Sequence, residues 1–289
     1  MEKHTSCENM MPDMMQKGDT GWDIRLENLR LGYGERVVLD NINAVIPGGK
    51  ITIILGESGC GKSTLLRHVI GLSRPMSGRI LYGGKDFFAL PERQFRRVRR
   101  RFGVLFQDGA LLGSLTLGEN VGLPLTEHTS LPKPIIRKAV LRTLSLVGLQ
   151  EFADFYPAQL SGGMKKRGGL ARAIITEPPV LFCDEPTSGL DPINSAQMDQ
   201  LLLDMRHAYP EMTIVVVSHD LASVAKVADH VLVLRDGQVV FSGTHSELYS
   251  AQDPYLRNFM DRESTNETLA AVPPTDPAVR RALDEWIEG

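Results

Sequence analysis

No apolar run in this 289-residue chain approaches the roughly eighteen residues needed to span a bilayer, so the sequence predicts no transmembrane helix. The leading residues, Met1 to Trp22, are Met-rich, mixed in charge and without an apolar signal-peptide core. They read as a flexible leader. Cysteine is scarce. The three present, Cys7, Cys60 and Cys183, cannot build a disulfide framework and suit a reducing cytoplasm. A surplus of positive charge is missing too. A net charge of −3 argues against a dedicated nucleic-acid binder, which needs many phosphate-neutralising cations. No internal repeat is found. The remaining composition, 42% hydrophobic and 23% charged, is that of a soluble globular protein rather than a disordered one. The length is long for one compact domain and short for two large ones.

Chemistry concentrates first at Gly56-Glu57-Ser58-Gly59-Cys60-Gly61-Lys62-Ser63-Thr64. This fits the phosphate-loop pattern G-x-x-x-x-G-K-[ST] with the right flanks. The β-branched run Ile51 to Leu55 predicts a strand before it, and Leu65, Leu66, Val69 and Ile70 predict a helix after it. Glycines let the backbone wrap a phosphate, so that several N–H groups point at one anion. The helix opening at Lys62 adds its positive dipole end. Lys62 is then placed for the β- and γ-phosphates and the Ser63 hydroxyl for Mg²⁺. Cys60 reads as a small residue filling a loop position.

Around this loop the pattern alternates. Residues 23–45 predict antiparallel strands, and a Gly/Pro-punctuated stretch runs from Gly71 to Gly84. Pro91 to Arg101, with six arginines, predicts a charged helix leading into Phe102 to Phe106. Residues 108–172 read mainly as helix, with Ile135, Ile136, Val140, Leu144, Val147 and Leu149 on one apolar face and Gly148 at a helix end. Strands are expected at Val180–Cys183, Thr213–Val217 and Val231–Leu234. Such alternation around a phosphate loop predicts a mostly parallel α/β sheet, with the helical block as an inserted subdomain. The strand from Val180 ends in two carboxylates. Asp184 is placed to hold Mg²⁺ and Glu185 to orient or deprotonate an attacking water. Upstream, Ser161 is a natural helix N-cap, followed by bare glycines Gly162 and Gly163.

Together these residues resemble the ATP-binding cassette (ABC) ATPases, with Leu160-Ser161-Gly162-Gly163-Met164 as the signature sequence. The resemblance covers about residues 23–250 and places further residues. Gln107 matches the Q-loop, Ser188-Gly189-Leu190-Asp191 the D-loop, His219 the switch histidine and Tyr33 the aromatic that stacks on adenine. It implies a P-loop ABC ATPase core with an antiparallel β subdomain and the helical insert. Gln107 joins Ser63 and Asp184 as a candidate Mg²⁺ ligand, and ATP as the nucleotide. A second copy of the chain, paired head to tail, would bring its Ser161-Gly162-Gly163 to complete the ATP site.

A narrower resemblance follows Gln107. Asp108-Gly109-Ala110-Leu111-Leu112, Ser114-Leu115-Thr116, Glu119-Asn120-Val121, Pro124-Leu125 and Leu160 to Arg167 resemble the ATPases of Mla-type, Mce-associated lipid transporters. This implies peripheral placement on the cytoplasmic side of a bacterial inner membrane. It also implies a separate permease, an Mce lipid-binding protein, a small STAS-domain partner, and phospholipid as the transported substrate. An ABC ATPase serving another substrate, or an ATP-driven dimerisation switch outside transport, stays open. Gly168-Gly169 departs from expectation, since each glycine inside a helix costs roughly 1 kcal/mol relative to alanine. The basic runs Arg93–Arg101 and Lys165–Arg167 read as solvated helix surface. Residues 251–289 read as an extension with a linker at 272–277. A short amphipathic helix follows, capped by Asp276, with Val279, Leu283, Trp286 and Ile287 on one face, either docked or frayed.

Overall fold

The computed structural model describes residues 21–261 and, in the tail, residues 276, 278–281 and 286. The chain divides into two compact units between Ser250 and Ala251. The first begins with a hairpin, β1 (Ile24–Tyr33) and β2 (Arg36–Ile46), then β3 (Ile51–Leu55) and α1 (Lys62–Val69). Next come β4 (Ser77–Tyr82), β5 (Lys85–Asp86), α2 (Glu92–Arg99) and β6 (Phe102–Leu105). The helical block holds α3 (Leu117–His128), α4 (Lys133–Leu146) and α5 (Gly162–Ile174). The unit closes with β7 (Val180–Asp184), α6 (Pro192–Ala208), β8 (Thr213–Val217), α7 (Leu221–Val227), β9 (His230–Arg235), β10 (Gln238–Gly243) and α8 (His245–Ser250).

Two sheets form. One is antiparallel, in the order β2-β1-β4-β5, and the other runs β10-β9-β3-β8-β7-β6. Within the second sheet, the neighbours from β9 through β6 are all parallel. Its central strands β3 and β8 are buried at every position, as strands covered on both faces must be. That is why they read as unbroken Ile/Val runs. In β1, by contrast, a face buried at Ile24, Leu26, Leu29 and Leu31 is interleaved with more exposed residues.

The structure corrects the sequence reading at Trp22 and Ile135 and refines it in the helical block. Trp22 belongs to the folded unit, not the leader: it is 3% exposed. Its carbonyl accepts from Thr213 Oγ1 at 2.9 Å, and the Arg101 guanidinium lies 4.9 Å from its ring centroid. The helical block is mainly helical, as its sequence predicts, but it is interrupted. Residues 108–116 and 129–132 lie outside helix, and 147–161 contain only two single 3₁₀ turns. On α4, Val140 and Leu144 are buried, with Val147 and Leu149 after it, whereas Ile135 is 47% exposed. Gly148, with φ 68°, does end that segment in the left-handed conformation that favours glycine.

The arginine run forms α2, with Phe95 and Val98 turned inward and the arginines outward. Phe95 stacks on Phe87, 4.6 Å between centroids, within an aromatic cluster that includes Tyr82 and Phe102. The second unit contains α9 (Pro254–Asp261). In the tail Asp276 caps as expected, its Oδ1 accepting from the Ala278 N–H at 2.7 Å. Val279 and Trp286 are exposed, while Leu283 and Ile287 lie outside the described residues.

Candidate nucleotide-binding and hydrolysis site

Parallel topology brings the site together. The phosphate loop follows β3, Gln107 follows β6, Asp184 and Glu185 end or follow β7, and His219 follows β8. All four segments therefore lie at the carboxyl edge of one parallel sheet, where open α/β sheets bind ligands. Register fixes their depth: Asp184 pairs with Val217 and Val217 with Ile54.

Gly56, Gly59 and Gly61 have φ of 152°, 83° and 108°. A Cβ at Gly56 would stand 2.4 Å from the Leu234 carbonyl oxygen, so that position tolerates nothing larger. Ser58 and Gly59 are exposed at the crest, Cys60 is half-buried and Ser63 is exposed at the start of α1. No side chain caps α1, which leaves its first N–H groups available to an anion. Lys62 is 7% exposed. Its ammonium donates to the carbonyls of Gly56 at 2.7 Å and Glu57 at 3.0 Å. Tyr33 is 48% exposed, and its hydroxyl lies 3.4 Å from Thr64 Oγ1. That contact sets the ring beside the phosphate-loop helix.

Asp184 lies among several charged groups. Burial, then the neighbouring Glu185, pushes the Asp184 carboxyl up, while Arg67 and Lys62 pull it down. Its Oδ1 is buried and has no hydrogen-bond partner among the described residues. His219 Nδ1 stands 2.8 Å from Glu185 Oε2, and that oxygen is buried with no hydrogen-bond partner among the described residues. Glu185 has φ 49°, a left-handed backbone that a side-chain-bearing residue adopts at a cost of order 1–3 kcal/mol. Its N–H is anchored on the Val217 carbonyl at 2.9 Å. Among the described residues no three His, Cys, Asp or Glu side chains cluster to hold a metal. Mg²⁺ suits this donor set, because it is usually held by one or two carboxylates together with substrate phosphates. Gln107 is exposed two residues past the end of β6.

Ser161 caps α5 as its residue type predicts, accepting from the Met164 N–H at 3.2 Å. Gly162 is exposed. Gly163 is buried, and a Cβ there would meet Asn194 Oδ1 at 2.8 Å. The unexplained Gly168-Gly169 pair has a non-local reason. A Cβ at Gly169 would stand 2.7 Å from the Gly109 carbonyl oxygen, and one at Gly168 would meet Leu117 at 2.6 Å. Arg172, one turn on, donates to the carbonyls of Gly109 and Ala110 at 2.9 and 2.8 Å. Helix α5 is thus packed backbone-close against the segment after Gln107.

Two groups escaped the sequence reading. Lys166 is not a solvated surface lysine: it is 6% exposed, and its ammonium donates to the carbonyls of Glu185 and Ser188. The spacing Gly163, Lys166, Leu170 along one helix face carried that signal. Behind His219, the Ser223 hydroxyl bridges buried Asp199 at 2.8 Å and Asp220 at 3.0 Å, with Lys226 3.7 Å from Asp199. This polar cluster ties α6 to α7, and nothing in the spacing of these residues announces it.

A phosphate loop at the carboxyl edge of a parallel sheet, facing a strand that ends in Asp-Glu, defines a P-loop nucleoside-triphosphatase. The chain belongs to the ABC transporter family, whose model matches residues 39–188. It is 40% identical over 253 residues, 88% of this chain and 96% of the relative, to the intermembrane phospholipid transport ATP-binding protein MlaF of Haemophilus influenzae. Identity to the Escherichia coli MlaF is 42% over 238 residues, 82% of this chain and 88% of that one. A probable ribonucleotide transport ATP-binding protein, mkl, of Mycobacterium bovis is 38% identical over 83% of this chain and 67% of its own length. Among solved structures, the dimeric post-hydrolysis cassette MJ0796 with ADP and phosphate matches 76% of this chain and 98% of its own, at TM-score 0.69 and 32% identity. The CbiO1 subunit from Clostridium perfringens matches 84% of this chain and 97% of its own, at TM-score 0.73 and 31% identity.

Proposed function

We propose that this chain is the ATP-hydrolysing subunit of an ABC transporter that moves phospholipid between the inner and outer membranes through a separate permease. The observation that carries the ATPase reading is the pair of carboxylates at the strand edge shared with the phosphate loop, Asp184 with a buried Oδ1 that accepts no hydrogen bond from the described residues and Glu185 with its Oε2 2.8 Å from His219 Nδ1. The lipid assignment is supported by identity to the MlaF proteins across most of the chain.

In this reading the glycine-lined loop and the open start of α1 bind the ATP phosphates, with Lys62 on the β- and γ-phosphates. Tyr33 stacks on adenine. Ser63, Asp184 and Gln107 are the residues that would hold Mg²⁺, which when bound neutralises charge on the terminal phosphates. Glu185 orients and deprotonates the attacking water, its carboxylate kept in place by the strained, anchored backbone. His219 faces that carboxylate and steadies the γ-phosphate. Ser161, Gly162 and Gly163 of a second copy complete the phosphate shell, since a capped helix start with bare glycines is a second anion site. The dimeric arrangement of the MJ0796 cassette supports that pairing.

A groove of about 360 Å³ between α2/β6 and α3/α5, lined by Arg99, Arg100, Phe102, Leu123, Pro124 and His128 among others, suits a permease segment. The Mce and STAS-domain partners follow from the lipid reading. Peripheral attachment on the cytoplasmic side follows from the same reading; among the described residues no helix is long and apolar enough to cross a membrane.

Glu185→Gln tests the chemistry. It should slow ATP turnover by roughly 10²- to 10⁴-fold, the usual worth of a general base, while ATP still binds. Near-normal turnover would remove Glu185 from that role. Co-purification of the membrane partner with its bound cargo tests the transport assignment: phospholipid is expected, and a nucleotide cargo would overturn it.

A further inference from the structure

Signature helix α5 is connected to more than the anion site at its start. Lys166 lies one and a half turns in, on the face that also presents Gly163. Among the described residues no carboxylate lies within ion-pair distance of its ammonium. It donates instead to two backbone carbonyls, Glu185 at 3.0 Å and Ser188. Burying an ammonium without a paired carboxylate is costly, and desolvation does lower its pKa against the opposing pull of Asp108 and Glu185. A charge kept under those terms fixes geometry.

What it fixes is the turn that follows β7. The Ser188 N–H donates to the Glu185 carbonyl at 3.2 Å and the Leu190 N–H to Thr187 at 3.1 Å. The ammonium joins the first of these carbonyls to the carbonyl of Ser188 and so closes the turn from the α5 side. The left-handed Glu185 backbone is held from two directions, by the Val217 carbonyl on its N–H and by Lys166 on its carbonyl. Asn194, at the start of α6, lies against the bare face of Gly163, so the same helix also meets the start of the helix that follows this turn.

We propose that Lys166 is a positioning residue for Glu185, aiming its carboxylate and linking it rigidly to the start of α5. This rests on Glu185 acting as the base. Its consequence is communication between sites. When Ser161 and the signature glycines of one copy engage the phosphate held by the other, the contact is passed through Lys166 to the first copy's own hydrolytic carboxylate.

Steady-state ATPase kinetics on the full chain test this with Lys166→Met and Lys166→Gln, each alone and combined with Glu185→Gln. Lys166→Met should lower kcat by roughly 10- to 100-fold, the cost of a slightly misplaced reacting group, with KM little changed. Lys166→Gln retains an N–H donor and should recover part of the loss. In the Glu185→Gln background, Lys166→Met should leave the residual rate unchanged, because the two residues act as one unit. An equal fractional loss in both backgrounds would make Lys166 a general support of the fold and overturn the proposal, as would an unaffected kcat in Lys166→Met. Near-normal turnover of Glu185→Gln alone is a different failure, which removes the base itself. Lys166→Gln carries the same comparison should Lys166→Met not fold, and thermal midpoints and nucleotide binding are followed for each variant.

Discussion

Replacing Asn120 should uncouple the segment after Gln107 from the helical block, at a stability cost that its bonds define. Asn120 lies on α3 and is fully buried. Its Oδ1 accepts the Leu112 N–H at 2.7 Å, and its Nδ2 faces the carbonyls of Leu112, Leu115 and Thr116 at 3.0, 3.1 and 3.0 Å. In Asn120→Ala not every one of these groups is stranded. The Leu112 carbonyl keeps the Leu115 N–H, and the Thr116 carbonyl keeps the Asn120 N–H. The Leu112 N–H and the Leu115 carbonyl lose their partner. Each stranded group costs about 1–3 kcal/mol when dry, but Leu112 is 47% exposed and water replaces part of the loss. About 2–3 kcal/mol is expected, or roughly 5–10 °C in the melting midpoint of a unit this size. Asn120→Asp is the sharper perturbation. It keeps the acceptor for Leu112 but sets a carboxylate oxygen against three carbonyls. At neutral pH it should be at least as damaging as alanine. Burial among carbonyls raises the folded-state pKa of such a carboxyl, so its stability should recover as pH falls and the group becomes a donor. Urea denaturation read by circular dichroism across pH measures both effects. Wild-type stability of Asn120→Asp at neutral pH would refute the bonding scheme.

Three further outcomes follow from individual groups. Burial raises the Asp199 carboxyl pKa against the opposing pull of Ser223 and Lys226. Stability from that group is therefore full below its unfolded value and is lost as pH rises through the folded one. Asp199→Asn should gain on the wild type in denaturation midpoint as pH rises from about 4 to 7, and an unchanging gap would contradict the shift. Burial pushes the Cys183 thiol up to about 12. Pulse alkylation with peptide mass spectrometry should leave it unlabelled until the chain unfolds, while half-buried Cys60 labels in the folded protein. Rapid native labelling of Cys183 would be inconsistent with its burial. Tyr33→Phe loses only a 3.4 Å hydroxyl contact and should keep nucleotide affinity. Tyr33→Ala, losing a stack worth about 1 kcal/mol beyond its buried area, should weaken it about tenfold, and equal affinities would remove the ring from the adenine site.

How much of this was readable depended on where the cause of each feature lies. Strands β3, β7 and β8 declare themselves because burial on both faces forces unbroken apolar runs, and the motifs hang from their ends. Ser161, Asp276 and Gly148 do so because caps and left-handed positions are local requirements of the backbone. Strands β4 and β10 were not legible. Gly78 interrupts the first, where a Cβ would stand 2.3 Å from the Asn28 carbonyl oxygen, and β10 never buries a residue fully. Trp22 reads as leader in the sequence because its partners, Thr213 and Arg101, are remote along the chain. Asn120 could be quoted as part of a motif, but its four contacts become visible only when residues 112–116 fold back over α3.

The same distinction explains the glycine pair in α5 and changes what the signature sequence is. Read along the chain, Gly168 and Gly169 are a penalty of roughly 1 kcal/mol each with nothing to offset it. In three dimensions Gly169 lets the Gly109 backbone approach, and Arg172 ties down the carbonyls of Gly109 and Ala110. A side chain at Gly169 would press on backbone, which cannot rotate away, whereas one at Gly168 would meet only the end of Leu117. One helix therefore holds the segment after Gln107 near its C-terminal half and, through Lys166, the turn after Glu185 near its N-terminal half. A rigid body gripped at both places cannot shift at Ser161 without carrying the turn after Glu185 and the segment after Gln107 along with it. Motifs that are separate words in the sequence act as parts of one lever, whose rigidity comes from backbone contacts that no spacing rule encodes.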